Sequence, residues 1–275
     1  MNKYLKFYEI MNYPVPKNSE LYFQYNWKNN EIIKIKEEKF SRSEKSLYMD
    51  EYLQEIEKLK PILKSIPFIE HIYLCNSITF NSLNKESDID LFIIATPWRI
   101  RTVKFWSMLL LTFKWAKRFW NNKRKKICLS FFITSDSSNL YNISLPSTDI
   151  YLAYWIAHLV LIYQSDKSNN SNIFLQNKRV KWILPNFQEK QTISLWINPM
   201  YWKSKFKIMY EKIWQSIIWD ILEIALKFAQ KIIILIKISI NKEQNKDVII
   251  SDQMLKFHKD IREKISLEYK IATKE

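Results

Sequence analysis

The chain has no glycine among its 275 residues, and that absence limits its possible folds more than any motif in it. At the usual frequency of about 7%, roughly 19 would be present. Glycine takes positive φ without a Cβ clash, so it is the standard residue at hairpin turns, helix C-termini and close backbone approaches. Tryptophan is abundant instead, occurring 11 times, often where glycine belongs. Trp27 lies in Asn-Trp-Lys-Asn-Asn between apolar segments 21–25 and 32–35, where a hairpin turn calls for Asn-Gly. Trp98 follows Thr-Pro at a strand exit, and Trp115 and Trp120 flank the basic end of a helical pattern. The chain is also rich in Lys, Ile and Asn, whose codons are A/T-rich. Together these features predict that UGA specifies glycine in the native gene and has been read here as tryptophan. A deliberately glycine-free sequence is the rival account. Trp155 sits in a helical apolar pattern that suits a genuine tryptophan.

Hydrophobic residues make up 47%, enough for a folded core and too many for a disordered chain. The length suits one large domain or two small ones. No run of 18 uncharged apolar residues is present, so no membrane span is expected. The most apolar stretch, 213–240, is broken at helical intervals by Asp220, Glu223, Lys227, Lys231 and Lys237, which predicts a long amphipathic helix. The N-terminus lacks a signal-peptide pattern, and the expected location is cytoplasmic. Cys75 and Cys128 lie inside apolar runs and read as buried reduced thiols rather than a disulfide or metal site. A net charge of +15 attracts polyanions such as RNA, DNA, nucleotides or acidic membranes. The basic residues are 36 Lys and 7 Arg. Lys is a point charge without the fork that reads base edges, so this balance favours phosphate attraction over sequence readout.

Along the chain, 1–37 predicts a short helix, a Pro-containing loop and a β-hairpin, an arrangement resembling a reduced winged helix. Residues 39–65 fit a helix that Pro61 kinks or breaks. Strands are expected at 69–74, 89–95 and 127–133, with a short helix from Ser77 and a longer one from Arg99 to Arg118. Lys117 and Arg118 suit its last turn. From Asp149 the pattern reads as helical, at 149–163, 172–184, 205–240 and 253–272. The reading divides the chain into an N-terminal module and connecting helix (1–65), an α/β core (66–148) and a helical C-terminal region (149–275).

The chemistry is concentrated in Leu74-Cys75-Asn76-Ser77, ten intervening residues, then Asp88-Ile89-Asp90-Leu91-Phe92-Ile93-Ile94. Strand alternation puts Asp88 and Asp90 on one face. Two carboxylates so placed repel unless a cation lies between them, which is the geometry that holds Mg²⁺ against a triphosphate. Asn76 and Ser77, at a turn opening a helix, offer backbone N–H groups and a hydroxyl to phosphate oxygens. Arg99, beginning the next helix, reads equally as a phosphate contact or a solvated helix start. The Lys123-Arg124-Lys125-Lys126 run is either a solvated loop or a nucleic-acid backbone contact. His158 reads as core. His258, among Lys256, Lys259 and Arg262, reads as part of a solvated basic face or as a contact for an anionic acceptor.

This segment resembles the polymerase β-like nucleotidyltransferase superfamily, whose signature is a hydrophobic strand, Gly-Ser or Gly-Gly, a spacer of this length, and Asp-h-Asp/Glu-h, where h is hydrophobic. The match runs from Leu74 to Ile94. A further likeness to uncharacterised bacterial nucleotidyltransferase-domain proteins takes in Thr96-Pro97-Trp98-Arg99, the third strand and the segment Tyr151 to His158. The resemblance implies an α+β fold: a polymerase β palm-like core sheet, a helical C-terminal region and the small winged-helix-like N-terminal module. It also implies transfer of a nucleoside monophosphate from an NTP to an acceptor, with Asp88 and Asp90 binding Mg²⁺ or Mn²⁺ and Asn76 and Ser77 holding the triphosphate. Two departures stand out. Asn76 occupies a position normally glycine, and the third strand offers Ser130 where the superfamily usually carries a third carboxylate. Asp136, just past the strand, is the nearest substitute. A catalytically silent nucleotide- or nucleic-acid-binding regulator is therefore the alternative. The positive surface favours an anionic acceptor such as nucleic acid.

Overall fold

The three most apolar segments of the central region pair side by side as the middle of a sheet. The structure, a computed structural model, describes residues 3–14, 25–26, 31–32, 47–114, 116–117, 123–146, 148–165, 172–184, 187, 197–201, 209, 211, 217–240, 247–257 and 260–273. A short antiparallel ladder joins β1 (Tyr25–Asn26) to β2 (Glu31–Ile32). The main sheet comprises β3 (Ile69–Cys75), β4 (Ile89–Ala95), β5 (Ile127–Thr134), β6 (Val160–Gln164), β7 (Met200–Tyr201), β8 (Ile249–Ile250) and β9 (Met254–Lys256), in the order β7-β6-β3-β4-β5-β9-β8. It is mixed: β4 runs antiparallel to β3 and parallel to β5. Every residue of β4 is buried, because helices cover both faces, and its sequence accordingly lacks polar alternation apart from Asp90.

The helices are α1 (Lys3–Ile10), α2 (Met49–Ser65), α3 (Ile100–Phe113), α4 (Ile150–Ala157), α5 (Ile173–Gln176), α6 (Val180–Ile183), α7 (Ile217–Ile240) and α8 (Arg262–Thr273). One core layer packs Tyr52, Ile56 and Leu63 of α2, Val103 of α3 and Trp219 of α7 against Leu74, Leu91, Ile93 and Phe132. The opposite layer packs Phe7 and Tyr8 of α1, Tyr154 and Trp155 of α4 and Tyr269 of α8 against Tyr73, Phe92, Ile94 and Phe131.

Several sequence expectations are corrected. Residues 149–163 are not one helix: α4 ends at Ala157, and Val160–Gln164 pairs with β3 as a strand. The uninterrupted apolar run has no period to distinguish the two states, and its β-branched end joins the sheet. Likewise 253–272 is not all helix, since Met254–Lys256 pairs with β5. Both flanks of the sheet thus come from the segment read as helical. The helix expected from Arg99 to Arg118 stops at Phe113; Lys117 lies beyond it, bridged to Ile127, and Arg118 is outside the described residues. Helix α2 runs through Pro61 without breaking. The winged-helix-like arrangement falls largely outside the described residues; α1 itself packs on α8. Of the helix expected at 205–240, the described residues show α7 at Ile217–Ile240; it turns Glu223 inward and leaves Ile221, Ile224, Phe228 and Ile232 exposed. Among the described residues, no helix is long and apolar enough to cross a membrane.

Polar contacts fix the helices where apolar packing alone would let them slide. Glu223 of α7 accepts from the Arg101 and Thr102 backbone N–H groups at 2.9 and 2.8 Å and from the Thr102 hydroxyl at 2.7 Å. It thereby satisfies donors that a helix start leaves orphaned. Asp149 does the same for α4, accepting from Leu152 N at 2.9 Å while pairing with Arg262 of α8 at 3.0 Å. Between α1 and α4, the Tyr8 hydroxyl lies 3.0 Å from His158 Nε2, and His158 Nδ1 lies 2.8 Å from the Tyr154 carbonyl. A carbonyl only accepts, so Nδ1 carries the proton and Nε2 accepts from Tyr8. His158 is a core residue.

The tryptophans divide by environment. Trp155 and Trp219 are buried, and Trp106 packs against the core. Trp98 is 73% exposed and sits at φ 62, the left-handed region that a bulky side chain disfavours. Trp27, Trp115 and Trp120 are outside the described residues. If glycine is native at position 98, Trp98→Gly relieves that strain and raises the unfolding free energy by about 1 kcal/mol. Urea denaturation measures it, and a less stable glycine variant would count against the reading at this position.

Burial lowers the pKa of His158 from 6.5 to about 4, a shift its bond to Tyr154 only partly opposes. Below pH 6.5 the unfolded chain therefore takes up a proton that the folded chain refuses. The stability this provides is complete above 6.5 and is lost as pH falls to about 4, on the order of 3 kcal/mol in all. Unfolding of wild type and His158→Gln across that window should show the wild type losing more stability by that margin; parallel curves would refute it.

Candidate functional site

The antiparallel register of β3 and β4 sets Cys75 opposite Asp90. The turn after Cys75 consequently lies beside Asp88, the residue before the strand. On the other side, the parallel register of β4 and β5 sets Asp90 opposite Cys128. The ligand atoms of Asp88, Asp90 and Cys128 all lie within 4.8 Å of one another, a group that could hold a metal ion. Asp88 is partly exposed, whereas Asp90 is 6% exposed, so one carboxylate meets solvent and the other is enclosed. They share the face of Phe92 and Ile94 that α1, α4 and α8 cover.

The turn is a single 3₁₀ turn, Asn76–Ile78. The helix expected from Ser77 is too short to contribute a dipole, and what remains is its N–H groups and the Ser77 hydroxyl. Asn76 adopts φ 59, the conformation for which glycine is standard and Asn the best substitute. Its carbonyl accepts from Thr79 N at 3.0 Å and Phe80 N at 3.1 Å. Its side-chain Oδ1 accepts from Trp155 Nε1 at 2.9 Å, which ties the amide to α4.

Two phenols approach the carboxylates. Burial, then the charge of Asp90, raises the Tyr13 pKa. Burial also pushes Tyr151 far above the ordinary tyrosine value, with smaller contributions from Tyr13, Cys75 and Asp90. Both remain neutral. A cavity of about 200 Å³ opens beside them, lined by Asn76, Phe131, Tyr151, Trp155, Lys256 and Arg262. The last two are committed to Asp260, at 2.7 Å from Lys256 and 2.6 Å from Arg262. Burial alone would raise the Asp260 pKa, but these hydrogen bonds bring it well below the carboxylate range.

The basic run lies along the same edge. Lys125 N donates to Ser87 O at 3.0 Å, and Ile89 N donates to Lys126 O at 2.9 Å. Arg124 and Lys125 pair with Glu51 at 3.3 and 2.6 Å, and Lys123 is exposed. His258 is outside the described residues.

Arg99 is not brought to this site. It follows the exit of β4 while Asp88 precedes the entrance, so the seven-residue strand separates them by roughly 20 Å. Its guanidinium pairs with Asp220 at 2.7 Å and lies over Phe68. Ser130 is not the β5 residue opposite Asp90: a register shift lies between the Leu91–Leu129 and Phe92–Phe131 pairs, and the position facing Asp90 is Cys128. Asp136 is exposed past the far end of β5, beside Gln253. Of the expected residues, the structure therefore assembles Asn76, Ser77, Asp88 and Asp90. It adds Cys128, which the β4–β5 register brings in, and Trp155 and Tyr151, which α4 brings in by packing on the sheet. Compared with known protein families, curated proteins and solved structures, the chain matches none.

The backbone at Asn76 gives a direct test. Asn76→Ala keeps a Cβ at φ 59 but loses both the amide that tolerates the left-handed region and the Trp155 bond, for an expected loss of about 1–2 kcal/mol. Asn76→Gly also loses the bond but relieves the Cβ clash, and loses less. Equal losses in chemical denaturation would show that the conformation costs nothing.

Proposed function

We propose that this chain is a metal-dependent nucleotidyltransferase, moving a nucleoside monophosphate from an NTP to an acceptor hydroxyl or phosphate. The reading is carried by one observation: Asp88 and Asp90 share a face at the entrance of β4, with the Asn76–Ser77 turn beside them across the register. Asp88 and Asp90 hold a divalent ion; the sequence resemblance on its own implies Mg²⁺ or Mn²⁺. Bound there, the ion supplies charge neutralisation and orientation for the triphosphate.

The chain's own groups do the positioning. The Ser77 hydroxyl and the turn's N–H groups receive phosphate oxygens. With its amide tied to Trp155, Asn76 keeps the turn in its left-handed shape. Lys123 and its neighbours draw polyanionic substrates to the edge where Asp88 is exposed, and the +15 net charge extends that attraction over the surface, which favours an anionic acceptor. His158 is no general base: both ring nitrogens are bonded in the core, and its pKa is depressed. Tyr13 and Tyr151 stay protonated and can only donate toward an anion. The rate then rests on proximity and electrostatic preorganisation.

A second reading, nucleotide binding without turnover, draws on the thiol facing Asp90 from the strand on which the resembled superfamily usually carries a third carboxylate. Transfer from each α-labelled NTP to host RNA, protein and metabolite fractions, with Mg²⁺ or Mn²⁺, separates the two. The expected result is label on one acceptor class, reduced about a hundredfold or more by Asp88→Asn or Asp90→Asn, the scale of losing one preorganised charge-stabilising group. Bound nucleotide without transfer in the folded protein would establish the silent binder instead.

A further inference from the structure

We infer that Cys128 is a metal ligand, and that the Asp88–Asp90–Cys128 group selects a thiophilic divalent cation of the Zn²⁺ class over Mg²⁺. The inference rests on the metal-dependent reading of Asp88 and Asp90, and not on the transfer reaction.

The geometry places one sulfur and two carboxylates around a common point. Ion-to-donor distances of about 2.0–2.3 Å set the donors of a tetrahedral site about 3.3–3.8 Å apart. A separation of no more than 4.8 Å therefore needs side-chain rotation at most, with no movement of the sheet. Asp90 and Cys128 are fixed relative to each other by backbone pairing at adjacent positions of β4 and β5, so the donor set is built by the register and not by a mobile loop.

Cys128 is in no disulfide, and the fold keeps it so. Cys75 is the other cysteine, also in none, and it faces Asp90 from β3. Two strand spacings, about 9–10 Å, separate Cys75 from Cys128, beyond the reach of a disulfide. The two thiols are not equivalent. Cys75 Sγ lies 3.6 Å from the backbone carbonyl of Asp90. Cys128 is the one grouped with the carboxylate oxygens.

Donor chemistry then decides the ion. Mg²⁺ requires near-octahedral oxygen coordination and keeps its waters, so a sulfur at the third position does not suit it. Zn²⁺ and similar ions accept mixed carboxylate and thiolate sets in a four-coordinate site. Three protein donors leave a fourth position open for a substrate oxygen. On ligation the thiol proton is released to solvent and the sulfur–metal bond takes its place.

Cadmium is the probe, because a thiolate bound to Cd²⁺ gives an ultraviolet charge-transfer band that carboxylates do not. The full chain, titrated with Cd²⁺ without nucleotide, should develop the band at one equivalent. Cys75→Ser should retain it. Cys128→Ser should lose it, and Asp90→Asn should weaken Cd²⁺ binding, a second reading that does not depend on the cysteine variant folding. Cys128→Asp should lower the preference for Cd²⁺ over Mg²⁺ by about tenfold or more. No band in the wild type, or a band indifferent to Cys128→Ser, overturns the inference. Band formation through Cys128 with no transfer under any metal would defeat the transferase reading alone. Mg²⁺-driven transfer with no band would defeat this inference alone.

Discussion

A carboxylate enclosed in the central strand is the constraint around which this molecule is organised. Asp90 lies in a strand whose every residue is buried, next to a second carboxylate. Taking an ion out of water costs several kcal/mol unless its surroundings answer the charge. The strand can keep Asp90 only because it sits one residue inside the sheet, at the edge where the Asn76 turn, the Lys123–Lys126 loop and Asp88 meet. Three residues on, Ile93 is fully enclosed between helices. The neighbours on either side, Cys75 and Cys128, are small and polarizable. A larger apolar residue at either position would close the space over the charge.

How much of this was legible follows from the range of the interactions. The Asp-x-Asp spacing, the apolar β4 and the turn at Asn76 are local, and reading along the chain finds them. Arg99 shows the limit: it is close in sequence to Asp90, but extended backbone carries it to the far end of the sheet and to Asp220. Cys128 shows the reverse. It lies far along the chain and inside an apolar run, and only the parallel register places it in the site. The strand at 160–164 was hidden for a different reason. An apolar run covered on both faces has no period, so helix and strand look alike until the partner is known.

The lack of glycine is met in two ways. Asn12, Asn76 and Asn81 take positive φ, where a short amide side chain tolerates the left-handed region. At Asn76 that substitution also provides a hydrogen bond to Trp155, so the turn is held from outside as well as by its own backbone. Phe68, Trp98 and Lys125 take the same region without that advantage. Lys125 does so where the basic loop is bonded to Ser87, and the strain there lies next to Asp88.

The sheet's two flanks have a consequence for the order in which the protein comes together. Strands β3, β4 and β5 are consecutive in the chain, but β6 and β9, which pair with their outer edges, are made later. Until residue 256 has left the ribosome, β5 presents an unpaired, strongly apolar edge, and α8, with its Arg262–Asp149 ion pair, is missing. A nascent chain thus carries the complete carboxylate and thiol set before it carries the cover, and closing the sheet must wait for a contact between segments more than a hundred residues apart. Such long-range closure is slow. Throughout it, the exposed edge is the part of the chain most open to pairing with another copy of itself.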